Sequence, residues 1–314
     1  MKVLVTGATG FLGGAVSRAL HRDGVSVIAT GRNADKLKEL SADGIPATMG
    51  DLAQWTSPAQ AVDAAVHCAG LSSPWGSSAA FERANIAGTA SALRLAREGG
   101  AQTFVHISTP SVTAAFRDQL SVSEDAALPR PVNTYARTKL AAERLVEASD
   151  VPNRIVLRPR GLYGPGDTAL LPRLVRAANA GPLPLMRGGR AVIDLTFIDD
   201  VVAAIRACLD TRRGGYRLYH VSGGEAVRVK TIAEEAAALT GVRITWRRVP
   251  VGAAMVAAGL SEARARLTGD EPKITRYAVG LFAYSQTLDI SRIERELGWR
   301  PSVSFAEGVE RLRA

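Results

Sequence analysis

Tyr135 and Lys139, in the run Tyr135-Ala-Arg-Thr-Lys139, carry the most explicit chemistry in the chain. On a helix, positions i and i+4 share a face. An ammonium held beside a phenol favours the phenolate and lowers its pKa toward working pH. Such a tyrosine can donate a proton to a carbonyl oxygen during reduction or remove one from an alcohol during oxidation. The same lysine can reach the ribose of a nicotinamide. Upstream, Ile107-Ser-Thr-Pro-Ser111 follows an apolar strand-like segment, so Ser108, Thr109 and Ser111 fall at a strand exit, where a hydroxyl can orient a carbonyl. The plainer alternatives are an amphipathic helix with a surface Tyr and Lys, and hydroxyls that only cap a turn.

This chemistry needs a hydride carrier, and the start of the chain supplies a place for one. Lys2 to Val5 reads as a strand and runs into Val5-Thr-Gly-Ala-Thr-Gly-Phe-Leu-Gly-Gly14. Gly7 allows the tight turn, Gly10 lets backbone approach a pyrophosphate, and Gly13 lets the following helix pack hard on the sheet. The helix N-terminus, at Phe11 and Leu12, offers free N–H groups and a positive dipole end, with Thr6 and Thr9 adding hydroxyls. The strand Val25–Thr30 completes a βαβ unit. That strand ends Thr30-Gly31-Arg32, with no carboxylate to grip ribose hydroxyls. A carboxylate would repel a 2′-phosphate, whereas Arg32 can pair with it through a bidentate fork, so NADP(H) is expected over NAD(H), which remains possible. Cys68-Ala69-Gly70 ends a later strand with small residues that let the chain pass close to the cofactor.

The elements that must position these groups alternate. Strands are expected at Val3–Thr6, Ser26–Thr30, Ala47–Met49, Ala65–Cys68, Phe104–Ser108 and Arg154–Arg158. Helices are expected at Gly13–His21, Ala34–Leu40, Ala59–Val62, Phe81–Glu98 and Thr134–Ala148. Six strands alternating with helices predict an α/β fold, a Rossmann doubly wound parallel sheet. Beyond Arg158 the pattern breaks, with helices expected at Ala169–Ala180, Val201–Asp210 and Thr231–Thr240 and strands at Val192–Thr196, Tyr216–Ser222 and Arg243–Val249. Residues 1–158, with about 190–225, are read as the dinucleotide-binding domain. Residues 159–189 and 226–314 are read as a smaller C-terminal α/β substrate region, with substrate in the cleft at the carboxyl ends of the strands.

Composition narrows the partners. The 314 residues carry a net charge of +9, and 33 of the 39 basic residues are Arg. They are scattered, with no run longer than a pair such as Arg247-Arg248, so no nucleic-acid partner is expected. Cys68 and Cys208 lie in apolar stretches and read as free buried thiols. His21, His67, His106 and His220 do not cluster, so no metal site is expected. The longest apolar run, Val249–Leu260, is too short to span a bilayer. With a strand starting at residue 2, no signal peptide is expected, and a cytoplasmic location is.

Gly7/Gly10/Gly13, Asp51-Leu52, Asn85, Thr109, Tyr135/Lys139, Arg158-Pro159, Gly164-Pro-Gly-Asp167 and Phe197-Ile-Asp-Asp200 span most of the chain. In order and spacing this set resembles the extended short-chain dehydrogenase/reductase family. The resemblance implies that Thr109 is the active hydroxyl, with Ser108 as the alternative. It implies that Asp51 and Leu52 bracket the adenine, that Pro159 lies beside the cofactor, and that Asn85 stabilises the active-site end of the sheet and belongs with the cofactor site. It also implies a homodimer formed through the helices after the fourth and fifth strands.

Two departures point away from the family's sugar enzymes. Pro110 and Ser111 stand where sugar dehydratases carry acids, and Arg160 stands near where sugar epimerases carry an Asn. Leu157-Arg-Pro-Arg-Gly-Leu-Tyr-Gly-Pro-Gly-Asp167 looks more like the 3β-hydroxysteroid dehydrogenase-like branch, closest to its bacterial 2-alkyl-3-oxoalkanoate reductases. These reduce a ketone β to a carboxylate with NADPH. Val251–Leu260 and Tyr277–Tyr284 are then candidates to line an apolar pocket. Arg160 or Arg276 could pair a carboxylate, Ser111 could touch substrate, and Trp75 could close over it. The expectation is an NADP(H)-dependent oxidoreductase that interconverts a secondary alcohol and a ketone on a small hydrophobic substrate. The alternatives are a nucleotide-sugar epimerase or dehydratase with bound NAD, and a non-catalytic dinucleotide sensor.

Overall fold

The computed structural model describes every residue except 57, 58, 212 and 314. β1 (Lys2–Thr6) is buried over its last four residues and leads into the amphipathic α1 (Phe11–Arg22). β2 (Ser26–Gly31), α2 (Ala34–Ala42), β3 (Ala47–Met49) and β4 (Ala64–His67) follow. A continuous helical run comes next: α3 (Ser78–Phe81), a π-helical stretch Glu82–Ala87, and α4 (Gly88–Glu98). β5 (Thr103–Ile107), β6 (Gln119–Val122), α5 (Thr134–Glu147) and β7 (Asn153–Pro159) carry the chain to the first break in alternation.

Shorter pieces come after it. They are β8 (Leu162–Tyr163), α6 (Leu170–Ala180), β9 (Leu183–Leu185), β10 (Val192–Ile193), β11 (Thr196–Phe197), α7 (Ile198–Asp210) and β12 (Gly215–Val221). The chain closes with β13 (Val227–Arg228), α8 (Val229–Ala238), β14 (Trp246–Arg248), α9 (Val251–Thr268), α10 (Arg276–Ala283), β15 (Gln286–Leu288), α11 (Ser291–Leu297) and α12 (Phe305–Arg313).

The main sheet is parallel and seven-stranded, in the order β12-β7-β5-β4-β1-β2-β3. Strand order reverses between β1 and β4, and in such sheets the crevice at that switch point, outside the carboxyl ends of the strands, receives the ligand. Helices cover both faces, as a parallel sheet requires. One face packs Val3, Val5, Val16 and Ile205 into a large core; the other packs Leu4, Ile28, Ala92 and Phe104. Register sets His67 of β4 between Thr6 of β1 and His106 of β5. A second sheet, β13-β10-β15-β6, joins β6 to strands that follow β7 in the chain, and two two-stranded pairs, β11-β8 and β14-β9, lie wholly beyond β7.

Several expectations change. Ala59–Val62 forms no helix. Four residues do not nucleate one, and here the Val62 N–H goes to Gly99 O while the Val62 side chain enters the core. The expected strand Val192–Thr196 is split, because Val192–Ile193 and Thr196–Phe197 pair in different sheets. Arg243–Val249 shortens to β14, and β6 had no signal beyond four residues. The seventh main-sheet strand, β12, extends the six of the opening pattern. No helix of the described residues is long and apolar enough to cross a membrane. Nor do the described residues hold a cluster of three His, Cys, Asp or Glu that could bind a metal.

Candidate active site

The glycine turn is built for close approach. Gly7 has φ +69°, and a Cβ there would lie 2.6 Å from Ala69 N; a Cβ on Gly13 would lie 2.3 Å from Gly7 O. The turn therefore seats against the Cys68-Ala69-Gly70 exit of β4, as the small residues there suggested. Gly31 is needed for a reason the motif does not show: a Cβ there would lie 2.5 Å from the Thr9 methyl. The α1 N-cap is Gly10, with no side-chain hydrogen bond to the helix. The first N–H groups, around Phe11 and Leu12, are thus left to an anion. These features fit a dinucleotide diphosphate.

At the other end of the cofactor path, Asp51 caps the turn at Ala53 and accepts a 2.7 Å hydrogen bond from Arg83. Burial pushes the Asp51 carboxyl up, but the hydrogen bonds from Arg83 and Ala53 and the charges of Arg83 and Arg32 outweigh it and hold the pKa below the ordinary value. Arg32 is exposed where β2 ends, close enough to act on Asp51. Leu52 is buried beneath the same corner. Arg83 was not anticipated, since nothing in its local sequence marks it.

Asn133 caps α5 by accepting from Ala136 N at 2.8 Å, which puts Tyr135 in the first turn. Burial raises the Tyr135 phenol above the ordinary tyrosine value, against hydrogen bonding from Ser72 and Thr109. This shift is the reverse of the lowering expected from the Tyr135/Lys139 spacing, and the Lys139 ammonium makes its hydrogen bonds elsewhere. On the buried side of α5 the Lys139 ammonium donates to Ile107 O at 2.6 Å and to His106 Nε2 at 3.1 Å. Burial lowers it to about 8 despite the charge of Glu143. His106 stacks on His67 at 5.2 Å, and burial keeps both rings neutral. His67 is held by Thr6 (2.7 Å) and Thr89 (3.0 Å).

The two candidate hydroxyls separate cleanly. Ser108 donates to Glu143 at 2.5 Å, and Glu143 is paired with Arg158 at 2.6 Å, all of them buried. Thr109 instead faces the tyrosine and donates to Ser111 Oγ at 3.0 Å. Ser111 in turn shares a 2.6 Å hydrogen bond with the Tyr277 hydroxyl from α10. Tyr277 lies 166 residues away in sequence, with no motif to announce it.

Asn85 has 1% of its surface exposed and uses its amide as a clamp. Its oxygen accepts from Leu71 N at 2.7 Å, and its nitrogen donates to Leu71 O and to Thr138 on α5. The π-helical stretch is the kind of local irregularity that recurs at functional sites. Through this clamp it ties α5 to the loop that carries Ser72.

The expected substrate contacts divide. Arg276 is already paired with Glu262 at 3.0 Å, and Trp75 lies under the Arg266 guanidinium. Arg160 is buried and lines a small cavity with Tyr277, Phe116 and Leu281. Pro159, the end of β7, pairs with Val221 at the sheet's carboxyl edge. A cavity of about 660 Å3 shares Thr9, Gly10 and Phe11 with the turn and is lined further by α1 and α7; Tyr135 is not in its lining.

Residues 3–222 match the model of the NAD dependent epimerase/dehydratase family. The chain belongs to that family. Among similar proteins, a 2-alkyl-3-oxoalkanoate reductase of Stenotrophomonas maltophilia is 31% identical, covering 100% of this chain and 99% of the relative. The 4-hydroxy-2-methyl-3-oxo-4-farnesyl-3,4-dihydroquinoline-1-oxide ketoreductase of Stigmatella aurantiaca is 32% identical, covering 100% and 96%. Of solved structures, MoeE5 in complex with UDP-glucose and NAD superposes with a TM-score of 0.78 at 25% identity, covering 100% of this chain and 97% of that one. This member of the epimerase/dehydratase family is thus an NAD(P)-dependent oxidoreductase of the extended short-chain type.

Proposed function

We propose that the chain is an NADP(H)-dependent ketoreductase that interconverts a ketone and a secondary alcohol on a small hydrophobic substrate. The carrying observation is the hydroxyl pair of Tyr135 and Thr109, with Thr109 just past the carboxyl end of β5. When bound, the dinucleotide supplies or accepts the hydride. Thr109 orients the carbonyl oxygen, and Tyr135 donates the proton that the oxygen needs as it becomes an alcohol. A phenol pushed up by burial stays protonated at neutral pH, which favours its role as an acid in the reductive direction. Lys139 presents its ammonium at the foot of the same helix, where the nicotinamide ribose is expected, and Arg32 takes the 2′-phosphate.

The sugar-enzyme reading draws support from MoeE5, but it needs an acid after the active hydroxyl. Here Pro110 follows Thr109, and Ser111 is tied to Tyr277. Two curated relatives, matched along essentially their whole length, carry ketoreductase names. The test is an absorbance screen of NADPH and NADH oxidation with 3-oxo acids, steroid ketones and aromatic ketones. Net NADPH consumption with at least one ketone is expected. Absence of turnover with every ketone, together with epimerisation of a UDP-sugar on bound NAD, overturns the reading.

A further inference from the structure

His67, His106 and His220 are buried, and for two of them the neighbours dictate which ring nitrogen carries the proton. Thr89 spends its hydroxyl proton on Asn85 O at 2.6 Å, so its oxygen must accept from His67 Nε2 at 3.0 Å. His67 Nδ1 then accepts from the Thr6 hydroxyl at 2.7 Å. His220 Nδ1 faces Val122 O at 3.0 Å, and a carbonyl only accepts, so the proton is on Nδ1.

His106 has no such constraint. Its Nε2 lies 3.1 Å from Lys139 Nζ, and its Nδ1 has no partner among the described residues. A charged lysine donates to Nε2; a neutral one accepts from Nε2–H. In both forms it can still donate to Ile107 O at 2.6 Å. The charged form puts the ring proton on Nδ1, as a buried N–H with no acceptor, and the neutral form leaves only a lone pair there. Orphaned buried donors are rare and costly. The ring therefore opposes the charge that Glu143 and Ile107 O favour, and with burial Lys139 comes down to about 8, so both forms are within reach.

The surroundings leave the lysine to change. His67 of β4 stacks on the His106 ring at 5.2 Å, and the register partner in β7 is the uncharged Val156. α5 supplies Lys139 and Glu143, whose carboxylate is paired with Arg158 of β7, and the exit of β4 supplies Cys68. Burial keeps both rings neutral, holds the Cys68 thiol up at about 12 and raises the Tyr135 phenol one turn earlier on α5.

We propose that His106 is the positioning residue for Lys139, its ring proton lying on Nδ1 while it holds the ammonium toward the cofactor ribose and on Nε2 while it holds the neutral amine, so that ring tautomer and lysine charge change together. Going from the neutral to the charged form, Lys139 Nζ gains the Nε2 proton and Nδ1 gains one proton from solvent. The ribose beside Lys139 rests on the ketoreductase reading; the coupling of ring and lysine does not.

The test labels histidine with 15N in the full-length protein and reads each ring's tautomer by NMR from pH 6 to 9, alongside the titration of the lysine side chains. The chain has only four histidines, so single substitutions assign the rings. His106 is expected to pass from Nδ1–H to Nε2–H at the pH where Lys139 loses its charge, while His67 stays Nε2–H and His220 stays Nδ1–H. Lys139→Met should leave His106 in one tautomer at every pH. Glu143→Gln removes a charge that favours the ammonium, so it should move the ring change and the lysine titration to lower pH together. His106→Phe removes the side-chain acceptor of the ammonium. NADPH binding, followed by fluorescence, should then weaken at least about tenfold at pH 8, its pH dependence moving down by about one pH unit or more. A ring that only fills space would lower the melting temperature of His106→Phe and leave that pH dependence unmoved. That result, a wild-type His106 tautomer fixed from pH 6 to 9, or a change that persists in Lys139→Met overturns the proposal. The ring and lysine signals are read on the protein alone, so failure to reduce any ketone counts against the ketoreductase reading and leaves this test intact.

Discussion

Replacing Glu143 by Gln tests how the catalytic corner is held. Glu143 accepts from Ser108, pairs with Arg158 and acts on Lys139, all inside the protein. The amide preserves shape but leaves Arg158 with no counter-charge. Breaking a buried pair from one side costs about 3–5 kcal/mol. An unfolding entropy of about 2.1 cal/mol/K per residue, over 314 residues, gives about 0.7 kcal/mol/K, so the melting temperature should fall by about 4–7 °C. The double variant Glu143→Met/Arg158→Met removes both charges and should recover most of that loss. Glu143 also supports the Lys139 charge, so Glu143→Gln should move the loss of that charge below about pH 8. The assays are scanning calorimetry at a fixed rate and cofactor binding across pH 6–9. A fall under 2 °C, or a double variant no more stable than the single, would show that the Glu143–Arg158 pair does not hold this corner.

Thr109→Ala should lower kcat by about 10–1,000-fold with little change in melting temperature, whereas Ser108→Ala should mainly cost stability, by about 1–3 kcal/mol; paired kinetics and thermal melts distinguish them, and the reverse pattern would make Ser108 the active hydroxyl. Arg32→Glu should reduce kcat/KM for NADPH at least tenfold while NADH is affected less, as read by initial rates with the two cofactors. Lys139 is charged below about pH 8 and neutral above it, so cofactor affinity should weaken as pH rises through about 8 in wild type and be flat there in Lys139→Met. The lowered pKa also means that the unfolded chain binds the Lys139 proton more tightly than the folded one. This group's contribution therefore favours folding increasingly from about pH 8 to 10.5, a slope that denaturant titrations of the two proteins should show as a difference.

Much of the fold was legible because its signals are local. The βαβ start follows from an apolar run, glycines at fixed offsets and an amphipathic helix, and it recurs in β1, α1 and β2 nearly residue for residue. The short strands outside the main sheet were not legible. β6, β10 and β11 are two to four residues long, and their pairing partners lie far off in the chain, so no periodicity can build up.

The site divides along the same line. The glycine turn and the Tyr135/Lys139 spacing are requirements of backbone geometry and helix pitch, so one sequence suffices to read them. Which hydroxyl faces the tyrosine and where the Lys139 ammonium points depend on groups brought together only by packing. Glu143 takes Ser108 out of the site, Ile107 and His106 take Lys139 away from the phenol, and Glu262 takes Arg276. A polar group is defined by what it is already bonded to, and that partner stands 14 residues away for Arg276 and 166 for Ser111. By itself the sequence determined a dinucleotide turn and the spacing of Tyr135 and Lys139 on one helix; the tertiary structure decided which of their neighbours were already bonded to one another, because those partners meet only on packing.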